Sequence, residues 1–222
     1  MKKYIVIPVR FNSKRLPGKV LKKIGNTSVL KYLVDKLRKV PNVDIIVATS
    51  LKRSDQKIYN FCNKNKIKCF RGPLNDLAYR LILACEKFKI KYFARINGDS
   101  PLIDVNIINK SFNYFKKKKN SYDFFTNIYP RSYPIGQSVE IYKLNILKKY
   151  YNSFTKSEKE HVGKYFYKKK SIKKFNFQYV NDHSNLNMSI NNYQDFINFK
   201  YVLETEKFKK KIPLKKLIKY YK

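Results

Sequence analysis

The chain has 222 residues, with 50 Lys and Arg against 15 Asp and Glu and a formal net charge of +35. Apolar residues make up 43% and aromatic residues 16%, too rich a mix for a disordered chain despite the charge. No apolar run approaches the roughly 18 residues needed to span a bilayer, and the three cysteines (Cys62, Cys69, Cys85) sit at no ligand spacing, which argues against a disulfide framework and a zinc site.

Tyr4 to Val9 is a near-continuous apolar run, as in a strand buried on both faces. It is short, Arg10 closes it and no small-residue cleavage site follows, so it is not read as a secretory signal and a cytoplasmic location is expected. A basic loop runs from Arg10 to Gly18. The pattern then predicts a helix from about Ser28 to Val40, a buried strand Val43 to Thr49, a helix Asp55 to Lys64 and a short strand Lys68 to Arg71. A helix Leu74 to Lys87 and a strand Tyr92 to Ile96 follow, the strand ending at Asn97-Gly98-Asp99. Asp104 is placed to cap the next helix, and Lys116 to Lys119 read as a solvated helix end or loop. This alternation predicts an α/β domain on a largely parallel sheet. Ligands of such sheets sit in loops at the carboxyl ends of strands, so the loops after the first strand and after Ile96 are the expected site.

Beyond residue 120 the pattern predicts strands Tyr122 to Ile128, Ser138 to Tyr142 and Lys174 to Val180, with helices Leu144 to Tyr151 and Glu158 to Lys168. In the basic tail from Lys207 to Lys222, Leu214, Leu217, Ile218 and Tyr221 fall at helical spacing, as in a terminal helix packing one apolar stripe. No Gly/Ser linker divides the chain, so 1–222 reads as a single domain.

The basic excess has a plain explanation. Only eight of the 50 basic residues are Arg, and Lys, Asn, Ile, Tyr and Phe, all with A/T-rich codons, dominate a chain with no Trp and four Ala. The lysines are spread along the chain, without zinc-finger spacing or an RNA-recognition aromatic signature, so no specific nucleic-acid partner is expected. A nucleic-acid-binding protein driven by charge alone is the weaker alternative.

The local signals are sharper. Arg10-Phe11-Asn12-Ser13-Lys14-Arg15-Leu16-Pro17-Gly18-Lys19 is a cationic loop between a strand and a helix, with the chemistry to hold a triphosphate but without P-loop spacing. With Ile7-Pro8-Val9 before it, this segment resembles the N-terminal signature of the sugar cytidylyltransferases, the CMP-sugar synthetases. Phe70-Arg71-Gly72 with Asp76 and Arg80, and Arg95-Ile96-Asn97-Gly98-Asp99-Ser100-Pro101-Leu102-Ile103-Asp104, resemble blocks of the spore-coat polysaccharide cytidylyltransferase-like branch. So does Tyr133-Pro134-Ile135-Gly136-Gln137-Ser138-Val139-Glu140. Glu160-His161-Val162-Gly163-Lys164-Tyr165 resembles a histidine block shared with the 3-deoxy-manno-octulosonate enzymes, which with the acylneuraminate cytidylyltransferases are relatives of that branch.

The resemblance implies a Rossmann-like, GT-A-like nucleotidyltransferase fold of three layers with a mostly parallel mixed sheet. It divides the domain into a nucleotide-binding part, 1–120, a sugar-side extension, 121–206, and a basic C-terminal helix, 207–222. It implies transfer of CMP from CTP to an acidic or related sugar for surface polysaccharide or glycan biosynthesis, with Mg²⁺ as cofactor. Arg10, Ser13, Arg15 and Lys19 would hold the phosphates, and Arg71 and Arg80 would shape the nucleotide pocket. Arg10, Lys19 and Asp99 would carry catalysis. Asp99 would bind the metal, while Gln137, Glu140 and His161 would face the sugar. Tyr165 and Tyr167 read as packing residues. Where the family has a second metal-side aspartate this chain has Asn191, so either that contact is weaker, Asp195 or Asp182 substitutes, or the enzyme is impaired. Gln137-Ser138 also departs from the acidic residue often found before the family's valine-glutamate. Related enzymes are often dimers, and a homodimer is compatible with the chain. A related nucleotidyltransferase or glycosyltransferase on the same scaffold is the alternative, although Asn97-Gly98-Asp99 offers one carboxylate where a glycosyltransferase has a paired Asp-x-Asp.

Overall fold

The computed structural model describes residues 1–222. Its centre is a seven-stranded sheet in the order β5-β4-β1-β6-β8-β7-β9. β1 is Lys3–Pro8, β4 Val43–Ser50, β5 Lys68–Gly72, β6 Tyr92–Arg95, β7 Phe124–Thr126, β8 Glu140–Lys143 and β9 Lys174–Asn176. β2 (Lys23–Ile24) and β3 (Thr27–Ser28) pair in a separate small ribbon. The neighbouring pairs β5/β4, β4/β1 and β1/β6 are parallel, as are β7 and β9, whereas β8 runs antiparallel to both of its neighbours. The sheet is therefore mixed and mostly parallel, with one reversed strand.

Alternation along the strands sorts side chains into two cores. Ile5 and Ile7 of β1, Ile45 and Val47 of β4 and Phe125 of β7 face one layer, built on α1 (Val29–Leu37), α2 (Gln56–Lys64), α4 (Val105–Lys118), α8 (Tyr193–Thr205) and α9 (Leu214–Tyr221). Val6, Ile46, Ala48, Phe93, Phe124 and Tyr142 face the other, built on α3 (Leu77–Lys87), α5 (Leu144–Tyr151) and α7 (Gly163–Lys168). Burial on both faces is why these strands read as continuous apolar runs. Both parts of the chain contribute strands to one sheet. No helix is long and apolar enough to cross a membrane.

Most expected elements are present, with shifts that have local causes. α3 begins at Leu77, later than expected, because the Asp76 carboxylate caps it by accepting from Tyr79 N at 2.8 Å. The helix expected over Glu158 to Lys168 is two pieces, α6 (Lys156–Glu160) and α7, broken at His161 with Val162 buried between them. β9 ends at Asn176: Phe177 N still donates to Thr126 O of β7 at 3.2 Å, but Tyr179 N donates to Ser132 Oγ at 2.7 Å and His183 N to Ser132 O at 2.9 Å in the loop after β7. In the tail only α9 is helical, and residues 207–213 turn before it. α8 went unpredicted, although a reciprocal capping box between Asn192 and Asp195 opens it.

Candidate active site

Six sheet strands end on one edge and β8 begins there, so the connecting loops gather at that edge. The loop after β1 is folded back on itself, with Gly18 N donating to Phe11 O at 2.8 Å. A buried carboxylate fixes it to the sheet: Asp55 Oδ1 accepts from Phe11 N at 2.6 Å, while Asp55 Oδ2 accepts from Ser50 N at 3.1 Å. Gly98, in the loop after β6, packs against the end of β1, where an added Cβ would collide with the Val9 side chain. This close approach brings the two loops together.

Their meeting point is an ion pair. Lys19 Nζ lies 2.9 Å from Asp99 Oδ2 and also donates to Ile190 O at 2.7 Å. Arg15 Nη2 donates to Asn191 Oδ1 at 3.1 Å. Thus Arg15, Lys19, Asp99 and Asn191, four residues expected at the site, converge from three loops. The Asp99 side chain keeps 29% of its surface exposed, and its Oδ1 receives only a long contact, 3.4 Å, from Ser100 Oγ.

Beside them opens a cavity of about 350 Å³. Asp99, Asn191, Glu140 and His161 line it, together with Arg95, Arg131, Ser138, Lys164, Tyr167 and Ser189. Glu140 begins β8, opposite Arg95 at the end of β6. Its carboxylate is buried, paired with the Arg95 guanidinium and hydrogen-bonded by the Tyr167 hydroxyl. Burial opposes the charge on Arg95, but the Glu140 carboxylate and the Tyr142 and Tyr167 hydroxyls leave its pKa above the ordinary value. Burial first, then Glu140, pushes the Tyr167 phenol up, so it stays protonated as a donor.

The chain and its fold match known proteins. The family model for cytidylyltransferases matches residues 4–221. The chain belongs to the cytidylyltransferase family. A solved cytidylyltransferase from Leptospira borgpetersenii serovar Hardjo-bovis superposes with a TM-score of 0.90 at 28% identity, covering 99% of this chain and 93% of that one. The spore coat polysaccharide biosynthesis protein SpsF of Bacillus subtilis is 27% identical over 64% of this chain. A 3-deoxy-manno-octulosonate cytidylyltransferase of Wigglesworthia glossinidia brevipalpis is 32% identical over 65%. The matched segments make up 59% and 57% of those two proteins' own lengths.

In this cytidylyltransferase the remaining expected site residues divide. Arg10 reaches Glu160 at 2.6 Å on the exposed rim, and the Arg10 contact, chiefly its hydrogen bond, holds the Glu160 carboxyl below its usual range. Arg80 is buried, donates to Pro73 O at 3.1 Å and leaves Nε without a partner. Burial, and then the charge of Arg10, pushes the Arg80 guanidinium down to about 10. A nearby anion would relieve that strain. Ser13 lies within the folded-back loop, its N donating to Phe11 O at 3.1 Å. Arg71 is engaged by the loop after β4, donating to Ser50 O at 3.1 Å and Leu51 O at 2.9 Å, so it shapes that loop rather than facing the cavity.

Gln137 is turned away from the cavity. Its fully buried side chain accepts from Asp104 N at 2.8 Å and donates to Leu102 O at 3.1 Å, bracing the loop that carries Asp99. Glu140 faces the cavity but is engaged by Arg95 and Tyr167, which makes it a positioning group, and Tyr167 is part of the site as well as of the packing. Asp195 accepts from Asn191 N at 2.7 Å and Asn192 N at 3.1 Å as the cap of α8, and Asp182 closes an exposed turn by accepting from Ser184 N. Both carboxylates are thus taken up by protein donors, Asp195 also accepting from Asn187 Nδ2 at 3.3 Å. The sequence reading missed Arg131, Lys164 and Asp55. Arg131 carried one signal, the scarcity of arginine, of which it is the last of eight; Lys164 stood within the quoted histidine block, and Asp55 carried none.

The implied Mg²⁺ can be tested against the donor set. No three His, Cys, Asp or Glu side chains cluster as a metal site. Mg²⁺ commonly takes one or two carboxylates and completes its shell with substrate phosphates and water. An accessible carboxylate, already holding one cation, with an amide oxygen nearby fits that mode.

Proposed function

We propose that this cytidylyltransferase moves CMP from CTP to the hydroxyl of an acidic sugar and releases pyrophosphate, supplying a CMP-sugar for a surface polysaccharide or glycan. The observation that carries the reading is the Lys19–Asp99 pair, held between the loops after β1 and β6 and opening onto a polar cavity. A triphosphate beside Arg10, Arg15 and Lys19 meets three cations on a preformed loop. Such fixed charges stabilise the pyrophosphate as it leaves, without reorganisation at the moment of reaction. Lys19 bridges both chemistries, because its ammonium can pass from Asp99 to a phosphate oxygen and leave the carboxylate free.

Asp99 would then hold Mg²⁺, with Asn191 as a neutral second donor. Bound there, the ion polarises the α-phosphoryl oxygens and acidifies the attacking hydroxyl. The cavity beyond Asp99 orients the sugar for attack at the α-phosphorus, and this positioning is the larger part of the protein's contribution. His161 and Lys164, at its mouth, offer hydrogen bonds to sugar hydroxyls. The location that suits this substrate supply is the cytoplasm.

The test is pyrophosphate release from CTP with Mg²⁺ and a panel of acidic sugars. Turnover with CTP well above that with UTP or GTP is expected. Activity with UTP or GTP and none with CTP would overturn the nucleotide assignment.

A further inference from the structure

The charges around the cavity do not balance. Its two carboxylates already have cations: Lys19 holds Asp99 and Arg95 holds Glu140. Two cations are left over: the exposed Lys164, whose Nζ reaches Ser157 Oγ at 3.3 Å, and Arg131. Arg131 has no carboxylate within ion-pairing distance and is only partly open to solvent. Its Nη1 and Nη2 both reach Ser138 Oγ at 3.3 Å, and Nη1 reaches Pro134 O at 3.4 Å. These are long contacts to neutral acceptors, and burial pulls its pKa below the ordinary arginine value. A half-buried guanidinium without a counter-charge is costly, and its planar fork matches a carboxylate in two parallel bonds.

Glu140 cannot turn to serve it. That carboxylate is fixed between Arg95 and Tyr167, and it is pressed so closely against Gly163 that a Cβ there would collide with it. We propose that Arg131, with Ser138, receives a carboxylate on the acceptor sugar, and that the neutral side chain at position 138 keeps this guanidinium free to do so. Arg131 is thereby a specificity-determining residue that touches the substrate. Arg131 is the half-buried one of the two leftover cations, and its planar fork beside the Ser138 hydroxyl matches the planar geometry of a carboxylate. The inference rests on the reading that this cavity takes the acceptor.

The test uses the full chain with CTP and Mg²⁺. The probes are 3-deoxy-manno-octulosonate, N-acetylneuraminate and glucuronate, each beside its primary amide, and one sugar phosphate. Pyrophosphate release gives the KM for each substrate, and calorimetry gives sugar binding independently of turnover. At least one acid is expected to bind and react about tenfold or more better than its amide. Arg131→Ala should raise the KM for that acid by about tenfold or more while moving the KM for CTP by less than about twofold, and should erase the acid-over-amide preference. Arg131→Lys should restore only part of it, because an ammonium lacks the fork. Ser138→Asp should reproduce the loss by supplying an internal carboxylate, and Ser138→Asn, of similar volume but neutral, should lose less.

Equal use of acid and amide, an unchanged sugar KM in Arg131→Ala, a Ser138→Asp enzyme no worse than Ser138→Asn, or preference for the sugar phosphate would each sink the inference. Transfer to neutral sugars alone, untouched by Arg131→Ala, would sink it while leaving cytidylyl transfer intact. Absence of CTP binding and of release with every sugar would overturn the functional reading instead. Calorimetry of acid against amide on the wild-type and Arg131→Ala proteins still decides the carboxylate site in that case.

Discussion

On the side of the cavity formed by the loops after β1 and β6, the central ion pair is part-exposed and exchangeable: Lys19 lies 2.9 Å from Asp99, and the two side chains keep 12% and 29% of their surfaces. On the side formed by β8 and α7, the Arg95–Glu140 pair is sealed, with Glu140 at 1% exposure and a tyrosine hydroxyl completing it. Both are one cation and one carboxylate. The first is open enough to trade its partner for a phosphate or a metal ion, as the proposed function requires of it. The second is not, so it belongs to the architecture and fixes the shape of the cavity.

Substitutions can break this contrast. The largest effect is expected from Glu140→Ala, which strands the Arg95 guanidinium in the interior. Breaking a buried pair in this way costs about 3–5 kcal/mol of stability, read as a lower urea midpoint. Lys19→Ala should instead cost less stability, because the Asp99 carboxylate it leaves behind is part-exposed and can be hydrated, and lower kcat about 10²–10³-fold through loss of charge at the triphosphate. A stability loss from Lys19→Ala as large as that from Glu140→Ala would erase the distinction.

A third test lies behind the exchangeable side, where the fully buried Lys36 of α1 has no hydrogen-bond partner beside Asp104. Burial, opposed by the Asp104 carboxylate, pushes its amine down to about 7. From that pH up to the ordinary lysine value the unfolded chain binds a proton that the folded chain lacks, so the wild-type protein gains stability as pH rises across this window. Lys36→Met lacks that slope. It should melt about 3 °C or more above wild type at pH 7, with the gap closing toward pH 10 in a thermal scan. The smallest effect is expected from Asn191→Asp, which adds charge where Arg15 now meets an amide. It should lower the Mg²⁺ concentration for half-maximal turnover by a few-fold, on the order of an added carboxylate ligand, and an unchanged requirement would count against Asn191 as a donor.

The exchangeable side was the more legible one in the sequence. Its residues lie in short blocks directly after strands, so Arg15, Lys19 and Asp99 could be placed by local pattern alone. The sealed side was not, because its partners are distant in the chain: Arg95 meets Glu140 across the strand pair, and Tyr167 reaches Glu140 from α7. The resemblance suggested that Glu140 and Gln137 faced a sugar; Glu140 lines the cavity while paired with Arg95, and Gln137 is buried in contacts with Asp104 N and Leu102 O. The strands were readable through their two-sided burial. α8 was not, since its apolar residues are distributed around much of the helix and only its capping box marks it. His161 lines the cavity from the break in an expected helix, where Val162 is buried.

The reversal of β8 has a consequence for how such a protein diversifies. Because β7 ends and β8 begins on the same edge of the sheet, the single stretch 127–139 between them carries Arg131 and Ser138 and runs straight into Glu140. Acceptor choice is thus written largely in one uninterrupted cassette, anchored at both ends by paired strands. Exchanging that segment would retune the sugar while the loops that handle CTP, encoded elsewhere in the chain, are inherited unchanged.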